Sequence, residues 1–309
     1  MKRILVLALY CVLGVSLLMA QDYSRYVDPR IGSEGLGRTF PGPCMPYGMA
    51  KPGPDAVSMP NAGWAPMPEP VKGFSQMHVS GTGGGQKYGN ILIQPFLEAG
   101  EIIQKRVDEK IALGYYACTF ENGIRTEITA SERCAFYRLD YGRKQKGKLL
   151  IDVATFLGID TIPDKRETQQ YVDSYVTCDG KYAVSGWSTV RGGWNNGGPY
   201  TVYFYLQSDA PLSNCDVPLY NKVKESRTRL DVAFSKSTVN LKVGISHISI
   251  AQARRNIPSC GFDIQLKNLR KTWNVKLGKI EIVGTEKQKR MFYTALYHTM
   301  LMPVDKSGE

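Results

Sequence analysis

The sequence predicts a mainly β protein of stacked antiparallel sheets followed by helical segments, and three observations predict it. Between Tyr115 and Ser249 eight or more short runs rich in Val, Ile, Thr and aromatic residues succeed one another without helical spacing. Turn signals such as Glu121-Asn122-Gly123 and Asp179-Gly180 separate them. Helical periodicity begins only at Phe262. With 309 residues and 43% hydrophobic content the chain can bury a sizeable core, so disorder is excluded as its default state.

The chain opens with Lys2 and Arg3, an apolar run from Ile4 to Ala20, and the polar pair Gln21-Asp22. That is the layout of a secretory signal peptide over residues 1–20, with cleavage after Ala20. The other reading is an uncleaved anchor, for which the run is near the short end. Cleavage leaves no stable membrane span, and the protein is expected to be exported, periplasmic or extracellular.

The mature part keeps Cys44, Cys118, Cys134, Cys178, Cys215 and Cys260, widely spaced and without a C-x-x-C pair. An oxidising compartment would permit disulfides. Buried free thiols are nevertheless expected, because a domain of this size needs no staples, and a zinc site is not expected. The net charge of +11 is diffuse, with short clusters such as Arg143-Lys144-Gln145-Lys146 that interleave no aromatics. It reads as solvated basic surface, with no nucleic-acid partner.

From Tyr23 to Gly100 the density of Gly and Pro predicts loops with a few strands, such as Ile91-Leu92-Ile93. Strand runs are then expected at 124–130, 134–139, 148–153, 171–177, 182–187, 200–206, 230–234 and 240–250. In the first, Ile124, Thr126, Ile128 and Ala130 alternate with Arg125, Glu127 and Thr129, as a half-solvated strand requires. In the last, Leu241, Val243, Ile245 and His247 form the inward face.

Phe262, Leu266, Leu269, Trp273 and Leu277 make one helical stripe, and Gly278 sits where a left-handed cap would end it. A short strand is expected at 280–283. Thr285 and Gln288 then form a capping box for a second helix, 286–302, which Pro303 terminates. That helix has almost no polar face, so burial on all sides is expected, against a helical domain not contained in this sequence.

No nucleophile elbow, zinc-protease motif or Walker loop is present, and of the three histidines His247 and His298 read as packing residues. His78 lies in a segment that concentrates backbone freedom, "KGFSQMHVSGTGGGQKYGN" at 72–90. This segment resembles the signature of glycoside hydrolase family 92, a Gly-Phe-Ser leading into a His-x-Ser-Gly-Thr-Gly turn and a Tyr-Gly-Asn strand. Residues 26–55, 114–138, 243–256 and 292–303 resemble further family segments in the same order. The chain departs from the pattern at Leu36, Arg38 and the Pro-rich stretch 59–73.

The resemblance implies an antiparallel β-supersandwich, a helical linker and an α/α-barrel catalytic domain. On that basis residues 21–260 are the sandwich domain, and 261–309 the helical linker and start of a catalytic domain that is otherwise missing. It implies calcium-assisted, inverting exo-α-mannoside hydrolysis by two carboxylates far enough apart to admit water. Both carboxylates, and the calcium ligands, are expected in the barrel. Asp22, Asp55 and Glu69, the carboxylates near the glycine-rich loops, read as surface charge or loop caps.

The chain itself is expected to be inactive alone and to wall the pocket for mannose-containing glycans. Trp64 would stack on a sugar, while His78, Ser80, Gly81, Thr82 and Gly83 would bond its hydroxyls. The scaffolding alternative has Trp64 capping the sandwich and His78 bracing its turn. At the level of the whole chain, the alternative is a stand-alone carbohydrate-binding or interdomain module. The loops at 33–43, 60–66 and 78–85 are expected to converge at one end of the sandwich.

Overall fold

The computed structural model describes residues 21–81, 86–97, 102–143, 147–158, 168–215 and 229–309. In chain order its strands are β1 (Gly53–Ala56), β2 (Val71–Ser75), β3 (Leu92–Leu97), β4 (Arg106–Ala112), β5 (Tyr115–Phe120), β6 (Arg125–Ala130) and β7 (Cys134–Asp140). There follow β8 (Gly147–Asp152), β9 (Gln169–Cys178), β10 (Ala183–Gly192), β11 (Tyr200–Ser208), β12 (Leu212–Ser213), β13 (Arg229–Phe234) and β14 (Thr238–Ser246). Among the described residues they build a six-stranded sheet, β1-β2-β3-β8-β13-β12, and an eight-stranded sheet, β4-β5-β6-β7-β14-β11-β10-β9.

Period-two patterning sets the register. Across the larger sheet, Tyr116 faces Ile128, Ile128 faces Tyr137, and Tyr137 faces Leu241. These side chains point to the same inner face, where they meet Phe74, Ile93, Leu149, Ile151 and Val232 of the smaller sheet in one buried core. Each such side chain contributes about 1.5–3 kcal/mol on burial. The expected antiparallel sandwich is therefore present.

The outer face of the larger sheet is less solvated than simple alternation suggests. Helix α1 (Ile250–Arg255) and helix α2 (Phe262–Leu277) lie on it. The expected strand to residue 250 stops at Ser246, because Ser249 accepts the Gln252 N–H and caps α1 instead. Gly244 admits this helix. A Cβ there would lie 2.1 Å from the Ala253 carbonyl oxygen.

Helix α2 follows the expected stripe, with Phe262, Leu269, Trp273 and Leu277 buried and the Trp273 indole N–H donating to the Cys44 carbonyl at 2.8 Å. Gly278 departs from expectation, with φ −70° rather than a left-handed cap. Its Cβ would meet the Tyr23 ring at 2.7 Å, so close approach is what the glycine provides. No strand forms at 280–283, where side chains take the contacts instead, Ile282 packing beside the helices and the Ile280 carbonyl accepting from the Tyr293 hydroxyl.

Helix α3 (Glu286–His298) begins with the expected capping box of Thr285 and Gln288 and ends before the expected 302. Burial on all sides is not observed. Tyr293, Thr294 and Tyr297 are buried against the Trp273 side of α2 and the Tyr23–Tyr26 turn, while Met291 stays 61% exposed. The thiol expectation also needs correction, since Cys178 and Cys215 form a disulfide. It ties β9, at the edge of the larger sheet, to the end of β12, at the edge of the smaller. Cys44, Cys118 and Cys134 are buried free thiols, as expected.

Candidate functional site

The glycine-rich loops converge around His78. Leaving β2, Gln76 donates to the Phe74 and Ile91 carbonyls and accepts from Tyr137, which fixes where the turn starts. The Gly81 N–H reaches the Arg38 carbonyl at 2.8 Å, and the Phe40 N–H donates to Ser80 Oγ at 3.0 Å. Gln86 donates to the Met59 carbonyl, and Gly63 lies against the His78 ring, where a Cβ would sit 2.5 Å from Nε2. Among the described residues, the three loops therefore meet.

The convergence places His78 inside the protein. It is 2% exposed, its Nδ1–H donates to the Lys51 carbonyl at 2.7 Å, and its Nε2 stands 2.8 Å from Asp55 and 3.3 Å from Ser75 Oγ. Phe40 stacks on the ring at 4.8 Å. Both nitrogens are thus taken by protein groups, and the residue braces the turn. Asp55 is corrected with it, from a surface or capping carboxylate to a buried partner. Asp22 and Glu69 do cap, accepting from the Ser24 and Ser58 N–H groups.

Trp64 is likewise corrected, from exposed stacking platform to core residue. At 4% exposure it joins the cluster between the sheets, and its indole N–H donates to Glu109. Glu109 also accepts from Tyr116 at 2.7 Å and pairs with buried Arg106, whose guanidinium holds the Ala65 and Glu69 carbonyls. The Pro-rich loop is anchored by that network, so burying Trp64 satisfies a polar tip as well as an apolar body. Ser80 is buried on Phe40, Gly81 holds φ +67°, and Thr82 and Gly83 lie outside the described residues.

A second group of side chains gathers beside this turn. The Tyr200 hydroxyl donates to Gln169 at 2.8 Å, and the Gln169 amide in turn donates to the Tyr88 and Leu157 carbonyls. Lys306 lies 6.0 Å over the Tyr88 ring, and burial lowers its pKa. Burial also lowers the pKa of His247, whose Nδ1 donates to the Thr201 carbonyl. The Nε2 of that ring is buried with no hydrogen-bond partner among the described residues. Glu309 closes the group, accepting from Ser246, the His247 N–H and Asn256 and forming an ion pair with Arg133.

The hairpin joining β10 to β11 brings one residue that the motif reading did not single out. Trp194, 41% exposed, projects from "GGWNNGG" with Lys87 5.5 Å over its ring. An aromatic held between two glycine pairs was the available signal. The enclosed carboxylates Asp55, Glu109 and Glu309 each have a protein partner, His78, Arg106 and Ser246 among them.

Fold and loop cluster together define an antiparallel two-sheet β-sandwich with its helices packed on the larger sheet. The chain belongs to glycosyl hydrolase family 92. The profile of the Glycosyl hydrolase family 92 N-terminal domain matches residues 26–246, and that of the Glycosyl hydrolase family 92 catalytic domain matches residues 250–309. An uncharacterized secreted glycosidase of Arthroderma benhamiae is 27% identical, over 93% of this chain and 42% of the relative.

Several solved structures share the fold. The family GH92 alpha-mannosidase BT3965 from Bacteroides thetaiotaomicron superposes with a TM-score of 0.77 at 24% identity, over 92% of this chain and 42% of that one. The Family GH92 Inverting Mannosidase BT2199 from the same organism gives 0.72 at 24% identity, over 92% and 40%. The chain thus spans about two fifths of the length of these relatives.

Proposed function

We propose that this chain is the amino-terminal part of an exported α-mannosidase acting on mannose-containing glycans, with hydrolysis carried by residues outside it. The observation that carries this reading is the uninterrupted order of the two family profiles, the second beginning at residue 250 within the same packed helices. That continuity favours an enzyme part over a stand-alone binding module. Residues 21–260 act as the sandwich unit and 261–309 as the linker into the catalytic domain.

Export is supported by the fungal relative's name as a secreted glycosidase and by the disulfide. The signal segment 1–20 lies outside the described residues. No described helix is long and apolar enough to cross a membrane.

The described residues do not fit calcium. No group of three or more His, Cys, Asp or Glu side chains among them could hold a metal ion, and the buried carboxylates already have protein partners. The ion implied by the family resemblance is assigned to residues other than the described ones. The test is mannose release by a protein extending this chain to the relatives' length, with and without a calcium chelator. Release that the chelator abolishes is expected. An extended, folded protein that leaves α-mannosides intact but cleaves another glycoside would overturn the reading.

A further inference from the structure

We propose that the tip of the β10–β11 hairpin is a saccharide-binding site, with Trp194 as its stacking platform and Arg191 as its hydroxyl-binding arm. The mannose specificity assigned to it rests on the function proposed above. Gly192, Gly193, Trp194, Asn195 and Asn196 have successive φ values of 81°, 63°, 47°, 60° and 63°. A run of left-handed residues suits glycine and disfavours tryptophan, so folding of the turn does not account for the ring. The ring is nevertheless partly open to solvent, held at one side by Lys87 and by Tyr88 at 6.0 Å.

The same turn borders a cavity of about 420 Å³ lined by Gln170, Arg191, Asn196, Gly197, Gly198 and Pro199. That volume falls within the range of small-molecule sites. Arg191 Nε donates to Gln170 Oε1 at 3.0 Å, which orients the guanidinium plane. Its terminal nitrogens have no protein partner among the described residues. A planar pair of donors suits vicinal hydroxyls, the Asn196 amide offers both a donor and an acceptor, and the three glycine or proline positions keep the walls low. Trp194 is not itself a lining residue but stands two positions from Asn196 in the same turn, and an aromatic face together with neutral amides and one guanidinium matches the apolar face and hydroxyl edge of a pyranose.

Affinity electrophoresis of residues 21–309 in native gels containing soluble α-mannan or xylan tests the site. Trp194→Gly is the informative variant, since glycine tolerates φ 47° and the thermal midpoint is expected to hold or rise. Arg191→Ala is the second. Mannan should retard the unsubstituted chain, and each substitution should weaken that retardation at least fivefold. Retardation by mannan that survives both substitutions overturns the hairpin site and leaves the mannose reading standing. Trp194-dependent retardation by xylan alone keeps the site and removes the mannose reading. No retardation of the unsubstituted chain in either gel overturns the site.

Discussion

Lys51 lies buried with its ammonium donating to the Gly48 carbonyl, and burial pushes its pKa down to about 8 from 10.5. Below pH 8 the folded and unfolded chains both hold the proton, and the fold carries the whole desolvation cost, about 3 kcal/mol. As pH rises toward 10.5 the folded lysine loses its proton first, and that cost falls away. Lys51→Met is therefore expected to gain about 1–3 kcal/mol at pH 7 and little at pH 10, the loss of the Gly48 hydrogen bond offsetting part of the gain. Urea unfolding at both pH values measures it, and equal gains would contradict the burial argument. Trp64→Ala belongs to the same scale. It empties a core position and strips one donor from Glu109, so a loss of about 3–5 kcal/mol of folding stability is expected from denaturant midpoints. Trp64 and His78 were legible as special residues, because Gly and Pro surround them. Their orientation was not, since glycine-rich loops can carry a side chain inward, and only the partners Glu109 and Asp55, 45 and 23 residues away, decide it.

Helix α3 presents two unlike faces, one packed on α2 and the amino-terminal turn, the other exposing Met291. Removing the whole segment 286–309 would uncover Trp273, so single substitutions separate the faces better. Met291→Lys is expected to leave stability within about 0.5 kcal/mol and to reduce self-association at high concentration, whereas Tyr297→Ala should cost about 3–5 kcal/mol. Sedimentation together with thermal unfolding reads both. A destabilising Met291→Lys would mean that the exposed face has a partner within the chain. The strands β6 and β13 were legible because apolar and polar residues alternate along them, and β7, β8 and β10 because aliphatic and aromatic residues run between turn signals. By contrast β1 and β2 carry almost unbroken burial, GPDA and VKGFS, and without alternation they pass for loop. Helix α1 was hidden because Ser249 can end a strand as readily as cap a helix, and the apolar Ile248 and Ile250 continue the preceding pattern.

At the scale of the molecule, two sheets enclose one core, helices cover the outer face of the larger sheet, and glycine-rich loops gather at His78. The architecture was readable from the succession of short strands, and the family from five ordered segments. The division of labour between scaffold and ligand contact was not. It depends on which aromatic each turn buries, and here the structure buries Trp64 and leaves Trp194 open. On the proposed function this chain holds a glycan without hydrolysing it. Free mannose released from soluble α-mannan by purified residues 21–309, with and without added calcium, tests this most directly. No release above a protein-free control is expected, whereas release that co-purifies with the chain through successive chromatographic steps would overturn the proposed function.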